Sequence, residues 1–212
     1  MSVLNPAWLS DVVMERVVVH WTAGAYDISS NDRAHYHFLI DCDGRAHLGD
    51  NPVSGNAREG AAGDVTSHVK NFNTGSIGIS VAAMGDAIES PFDSGPWPIT
   101  KLQFFALCVA CAELCAFYRI PISDTTLLMH GEVEDNCGVV QEGKWDIGRL
   151  PFAPDDYKDC ADVGAKMRQI VQDIIDGGAL PIARPVPRPR RTVTIIIESP
   201  PDVDVVVQQV EG

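Results

Sequence analysis

Val17-Val18-Val19-His20-Trp21 constrains this chain more than any other stretch. Three consecutive β-branched residues favour extended backbone, and the run lacks the polar alternation that would leave one face to water. Such a strand is buried on both sides and needs further layers around it. The run ends at Thr22-Ala-Gly24. Tyr36 to Ile40 and Arg45 to Leu48 flank Asp41-Cys42-Asp43-Gly44, and Asp-Gly between short apolar runs predicts a hairpin, because glycine tolerates a positive φ in the turn. Ile77 to Ala82 and Thr126 to Met129 read as two more strands.

Helical signals fall between and after these strands. Asn5 to Met14, with Pro6 in its first turn, is expected to form a short helix. Thr100 caps a strong helix running to about Tyr118 and ended near Pro121. Asp159 to Asp176 predicts another, closed by Gly177-Gly178. Strands alternating with helices predict an α/β fold, a central mixed β-sheet flanked by helices. Residues 50–76 read as a long polar loop. Residues 86–98, with Pro91, Pro96 and Pro98, read as a surface insertion.

The domain is expected to span residues 1–180. Residues 181–191, rich in Arg and Pro, read as an extended linker. Thr192–Glu198 and Val203–Val210 around Ser199-Pro-Pro-Asp202 predict a C-terminal β-hairpin-like extension over 192–212. A lone hairpin is marginal in water, so it would dock, stay mobile or mediate self-association.

At 45% hydrophobic residues over 212, the chain can bury a sizeable core. Its net charge of −13 repels phosphate backbones and anionic lipid heads, so neither nucleic acid nor a membrane is expected as partner. No stretch is expected to reach the roughly 18 apolar residues of a span. Met1 to Arg16 lacks a basic start followed by an apolar run and does not read as a secretion signal. The six cysteines are then expected to be reduced thiols. Cys108, Cys111 and Cys115 share a helix face with apolar neighbours and are expected to pack in the core.

Three polar residues stand near the ends of apolar segments: His20 late in the first strand, His130 after the last, and Asp146 in Lys144-Trp145-Asp146-Ile147-Gly148. Two imidazoles and a carboxylate suit a hydrolytic Zn2+ site, three protein ligands with a fourth position for water. Either histidine alone would read as an ordinary hydrogen-bonded residue at a strand end. Cys137, in the loop between His130 and Lys144, is a competing soft ligand.

Five motifs in order carry a resemblance: Val-Val-Val-His20-Trp-Thr-Ala-Gly, Ala-His-Tyr36-His-Phe-Leu-Ile, Asp-Gly44, Asn73-Thr-Gly-Ser-Ile-Gly78 and Lys144-Trp-Asp146. Over roughly residues 15–176 the chain resembles N-acetylmuramoyl-L-alanine amidases of the phage lysozyme and peptidoglycan-recognition-protein type. The resemblance implies zinc ligands at His20, His130 and Asp146, with Asp146 preferred to Cys137 by its Lys-x-Asp-x-Gly context. It implies catalytic roles for Tyr36 and Lys144, in stabilising an oxyanion or steering water. The implied substrate is peptidoglycan or a muropeptide, cut as an endolysin that reaches the wall after release. A muropeptide-recycling enzyme shares that chemistry, and a relative lacking a ligand would only bind. Of the other histidines, His37 is expected to be structural or to support a ligand, and His47 to lie on the sheet surface. His68 is a candidate lining residue of the substrate cleft.

Overall fold

A computed structural model describes residues 2–177. The predicted linker and C-terminal extension lie outside the described residues. Five strands form one mixed sheet: β1 (Arg16–Trp21), β2 (Phe38–Ile40), β3 (Ala46–Leu48), β4 (Ser76–Val81) and β5 (Leu127–Met129), in the order β3-β2-β4-β1-β5. β1 lies parallel between β4 and β5, β2 runs parallel to β4, and β3 is the antiparallel edge. The predicted hairpin is the β2–β3 connection. Its turn is held by the Asp41 carboxylate, which accepts from Asp43 N and Arg45 N.

The two faces of the sheet differ. Val17, Val19 and Trp21 of β1 enter the main core with Ile77, Ile79 and Val81 of β4. Two long helices cover that face, α2 (Lys101–Tyr118) and α4 (Cys160–Asp176). Alternation along the strands sends Val18 and His20 the other way, beside Gly78 and Ser80 in register. Only a small apolar cluster of Val18, Val69, Leu128 and Val133 forms there.

α2 begins as the sequence predicts, at a capping box in which Thr100 Oγ1 accepts from Gln103 N and Gln103 Oε1 accepts from Thr100 N. It stops at Arg119, which is left-handed at φ 57°. Its three cysteines are buried, as expected, and so are Phe104, Leu107, Leu114 and Phe117. With 18 residues at mean hydropathy 1.5, α2 does have the length and apolarity of a membrane span, which corrects the expectation that no stretch has. The fold spends that apolarity on the core between sheet and α4. α4 is amphipathic, burying Val163, Met167 and Val171 at four-residue intervals after an Asp159 cap.

Several expectations are corrected. Asn5 to Met14 forms only a 3-10 turn at Pro6–Trp8. The segment before it docks by long-range contacts instead: Val3 N and Leu4 N donate to the buried Glu113 carboxylate of α2. The stretch before β2 is helical, α1 (Ser30–His35), opened by a Ser29–Asp32 capping box. Tyr36 therefore caps that helix rather than starting a strand. The loop after β5 contains a 3-10 turn at His130–Glu132 and α3 (Val133–Cys137).

One ion pair ties this last region down. Arg168 of α4 forks onto Glu132, both nitrogens donating at 2.9 Å, and also donates to Leu127 O. Glu132 is 3% exposed and accepts from Met129 N as well. A buried charge is tolerable when bidentate pairing satisfies it. Gly164 leaves the room, since a Cβ there would lie 2.3 Å from Glu132 Oε2. The fork fixes the end of β5, where His130 begins.

Candidate metal centre

His20 projects from the second-last position of β1 onto the polar face and is 1% exposed. His130 follows directly after β5. Asp146 arrives from the long loop, held against His130 because Gly131 N donates to Asp146 O at 2.8 Å. Its neighbour Trp145 packs edge-on against Trp21, with ring centroids 4.5 Å apart. Adjacent residue pairs thus meet on opposite faces, Trp21 with Trp145 and His20 with Asp146. The apolar contact delivers the polar one.

Nδ1 of His20, Nδ1 of His130 and Oδ2 of Asp146 stand 3.1 to 3.2 Å from one another. All three side chains are buried. Donor atoms about 2.0–2.1 Å from a tetrahedral zinc are themselves about 3.3 Å apart, so this triangle has the size of one tetrahedral face.

The hydrogen-bond partners behind the imidazoles test the fit independently. His68 Nε2 faces the carbonyl of Ser76 at 3.3 Å, so that nitrogen carries the proton. His68 Nδ1 is then an acceptor, and His20 Nε2, 3.1 Å away, donates to it. Likewise His130 Nε2 donates to Gln141 Oε1 at 2.9 Å. A neutral imidazole has one proton, so both Nδ1 atoms present lone pairs to the Asp146 carboxylate. Burial holds the His20 pKa down to about 4, opposed by Asp146 and reinforced by His130, which keeps this ring neutral. Three electron-rich atoms therefore converge with no proton between them, an arrangement complementary to a cation.

Tyr36 stands beside this cluster, its ring centroid 5.2 Å from that of His20. Burial, and then the Asp146 charge, push its phenol well above the ordinary range, so it stays protonated. Lys144 is exposed and shares the wall of a cavity of about 280 Å³ with Glu89, Arg149, Lys158 and Cys160. No hydrogen bond or ion pair among the described residues ties its ammonium down. Its charge reaches His20, where it opposes protonation. The three ligand candidates do not line that cavity, although their neighbours Gly131 and Trp145 do.

Cys137 is not among the three converging residues. It lies in α3 and packs against the small apolar cluster with Phe72 and Val139. Burial raises its thiol, further from a thiolate. His68 is no cleft wall either. It is buried behind His20, its ring lying flat over Gly78, where a Cβ would come within 2.5 Å of His68 Cγ. His37 is fully buried and accepts from Gly78 N through Nδ1, supporting the same layer. His47 bonds to Asp41 at the partly exposed sheet edge, as expected. Sequence reading missed Gln141 altogether. A glutamine in a polar loop carries no signal of its own.

A search of curated proteins finds no match. Solved structures resemble the chain at low identity. The N-acetylmuramoyl-L-alanine amidase LysC from Clostridium intestinale URNW is 20% identical, the match covering 79% of this chain and 92% of that one at a TM-score of 0.42. The Ph2119 endolysin from Thermus scotoductus MAT2119 bacteriophage Ph2119 is 20% identical over 58% of this chain and 75% of its own, at 0.39. AmiD from E. coli, solved with anhydro-N-acetylmuramic acid-L-Ala-D-gamma-Glu-L-Lys, is 19% identical over 56% and 48%, at 0.39. The sequence profile of the Amidase_2 family, N-acetylmuramoyl-L-alanine amidase, matches residues 10–149, a span that contains Tyr36, Lys144 and all three ligand candidates, and the chain belongs to that family.

Proposed function

We propose that this chain is a zinc-dependent N-acetylmuramoyl-L-alanine amidase acting on peptidoglycan as an endolysin. It would hydrolyse the amide joining the lactyl group of N-acetylmuramic acid to L-alanine, meeting the wall after release from the cytoplasm. One observation carries this reading: Nδ1 of His20, Nδ1 of His130 and Oδ2 of Asp146, all on buried side chains, converge at 3.1 to 3.2 Å from one another.

His20, His130 and Asp146 would hold the ion, which when bound supplies an acidified water and a polarised scissile carbonyl. The protein's own contribution lies around it. Tyr36, a neutral phenol beside His20, is suited to orient by donating a hydrogen bond and unsuited to abstract a proton. Lys144, an exposed cation two residues before Asp146 whose charge is felt at His20, would offset negative charge developing on the attacked carbonyl oxygen. His68, Gln141 and the Trp21–Trp145 contact hold the donor atoms in place.

The test is to incubate the protein with purified peptidoglycan and count new L-alanine amino termini, with and without a chelator. Activity lost to the chelator and restored by zinc is expected, together with one zinc per chain. Chelator-resistant activity, or folded protein that takes up no zinc, would overturn the reading. Comparing intact sacculi with small anhydro-muropeptides tests the endolysin role. Preference for the soluble fragments would assign the chain to recycling.

A further inference from the structure

We propose that Gln141 is a positioning residue that aligns both imidazoles of the centre, an inference that rests on the metal reading above. Gln141 sits between exposed residues, Val140 at 61% and Glu142, yet is itself only 3% exposed. Its side chain turns inward and is satisfied at every atom. Oε1 accepts from His130 Nε2 at 2.9 Å, while Nε2 donates to Lys70 O at 3.0 Å and Val139 O at 3.1 Å. Its backbone N donates to Glu134 Oε2. An amide nitrogen facing two carbonyls has one orientation only, so the oxygen is the atom that meets His130. That oxygen compels the Nε2–H tautomer and leaves the His130 Nδ1 lone pair free for a cation.

The same side chain reaches His20 indirectly. Lys70 lies two residues beyond His68, whose Nδ1 takes the proton of His20 Nε2. The segment from 68 to 73 is closed on itself by Asn73 Oδ1, which accepts from His68 N and Val69 N. Gln141 fastens this closed segment at Lys70 O. One amide thus orients one ligand directly and tethers the segment that orients the other. The Lys70–Glu142 ion pair repeats the tether at the surface, where both groups are more than half exposed and such pairs contribute little.

The experiment compares the unmutated protein with Gln141→Leu, Gln141→Glu and Glu142→Ala. Zinc affinity is read by competition with a chromogenic chelator, and imidazole tautomers by 15N NMR of the metal-free protein. Gln141→Leu should weaken zinc by about 10–100-fold and release His130 from the Nε2–H tautomer. Gln141→Glu keeps the acceptor and loses the donor, so His130 should stay Nε2-protonated while the His20 signal changes. Glu142→Ala should shift affinity by less than about twofold. Unchanged affinity and tautomer in Gln141→Leu would overturn the proposal. So would an Nδ1–H tautomer at His130 in the unmutated protein, a reading available even if Gln141→Leu does not fold. If the unmutated protein takes up no zinc, the metal reading fails, while the tautomer comparison still judges Gln141.

Discussion

The two faces of the sheet are made from the same strands and do opposite work. On one, Val17, Val19 and Trp21 meet two long helices in a dry core. On the other, one residue away along β1, His20 meets His68, His130 and Asp146, with His37 buried alongside His68. The first face is held by apolar area and tolerates any side chain of suitable shape. The second is held by specific hydrogen bonds, from His20 to His68, His130 to Gln141 and Gly78 to His37. Stability should therefore reside mainly on the apolar face and chemistry on the polar one.

The largest test of this division is His20→Ala or Asp146→Ala. Either should abolish release of L-alanine termini while the far-UV circular dichroism spectrum stays that of the folded domain. Full turnover would strike that residue from the ligand set. Next, Leu114→Ala on the apolar side should cost about 2–5 kcal/mol in urea unfolding and leave turnover per folded molecule unchanged. A large fall in turnover with intact stability would blur the division. Lys144→Ala should lose about 10²–10³ in rate, equivalent to about 2.7–4 kcal/mol, with no measurable change in unfolding midpoint.

A smaller effect separates the faces by acid. Burial holds the fully buried His37 imidazole down to about 3, whereas the unfolded chain titrates near the ordinary histidine value of about 6.5. Between those values the unfolded state binds the extra proton. The stabilising neutral state is complete above about 6.5 and is lost as pH falls toward 3, on the order of 1.4 kcal/mol per pH unit. Urea midpoints of metal-free protein at pH 7 and pH 5 should differ accordingly, and His37→Asn should flatten the slope. An unchanged slope in that variant would place the acid sensitivity elsewhere.

What the sequence discloses follows the same line. β1 is legible because three β-branched residues admit few alternatives, and α2 because Thr100 and Gln103 announce its start. The ligand candidates stand out only through motif order, since the gaps from His20 to His130 and on to Asp146 say nothing about distance. α1 escapes detection because six residues carry no periodicity, although Ser29 and Asp32 do form a capping box. Cys137 misleads because ligand chemistry can be read from residue type while direction cannot. In α3 that residue packs on the small apolar cluster instead. Gln141 and Glu113 are invisible for a deeper reason: their partners lie 11 and 109 or more residues away, and nothing local marks either one.

The fork between Arg168 and Glu132 has a temporal consequence. A chain leaving the ribosome presents β1, β4 and β5 before α4, so the turn bearing His130 lacks this anchor until residue 168 emerges. A translation product that stops short of α4 would carry every ligand candidate without this brace at the end of β5.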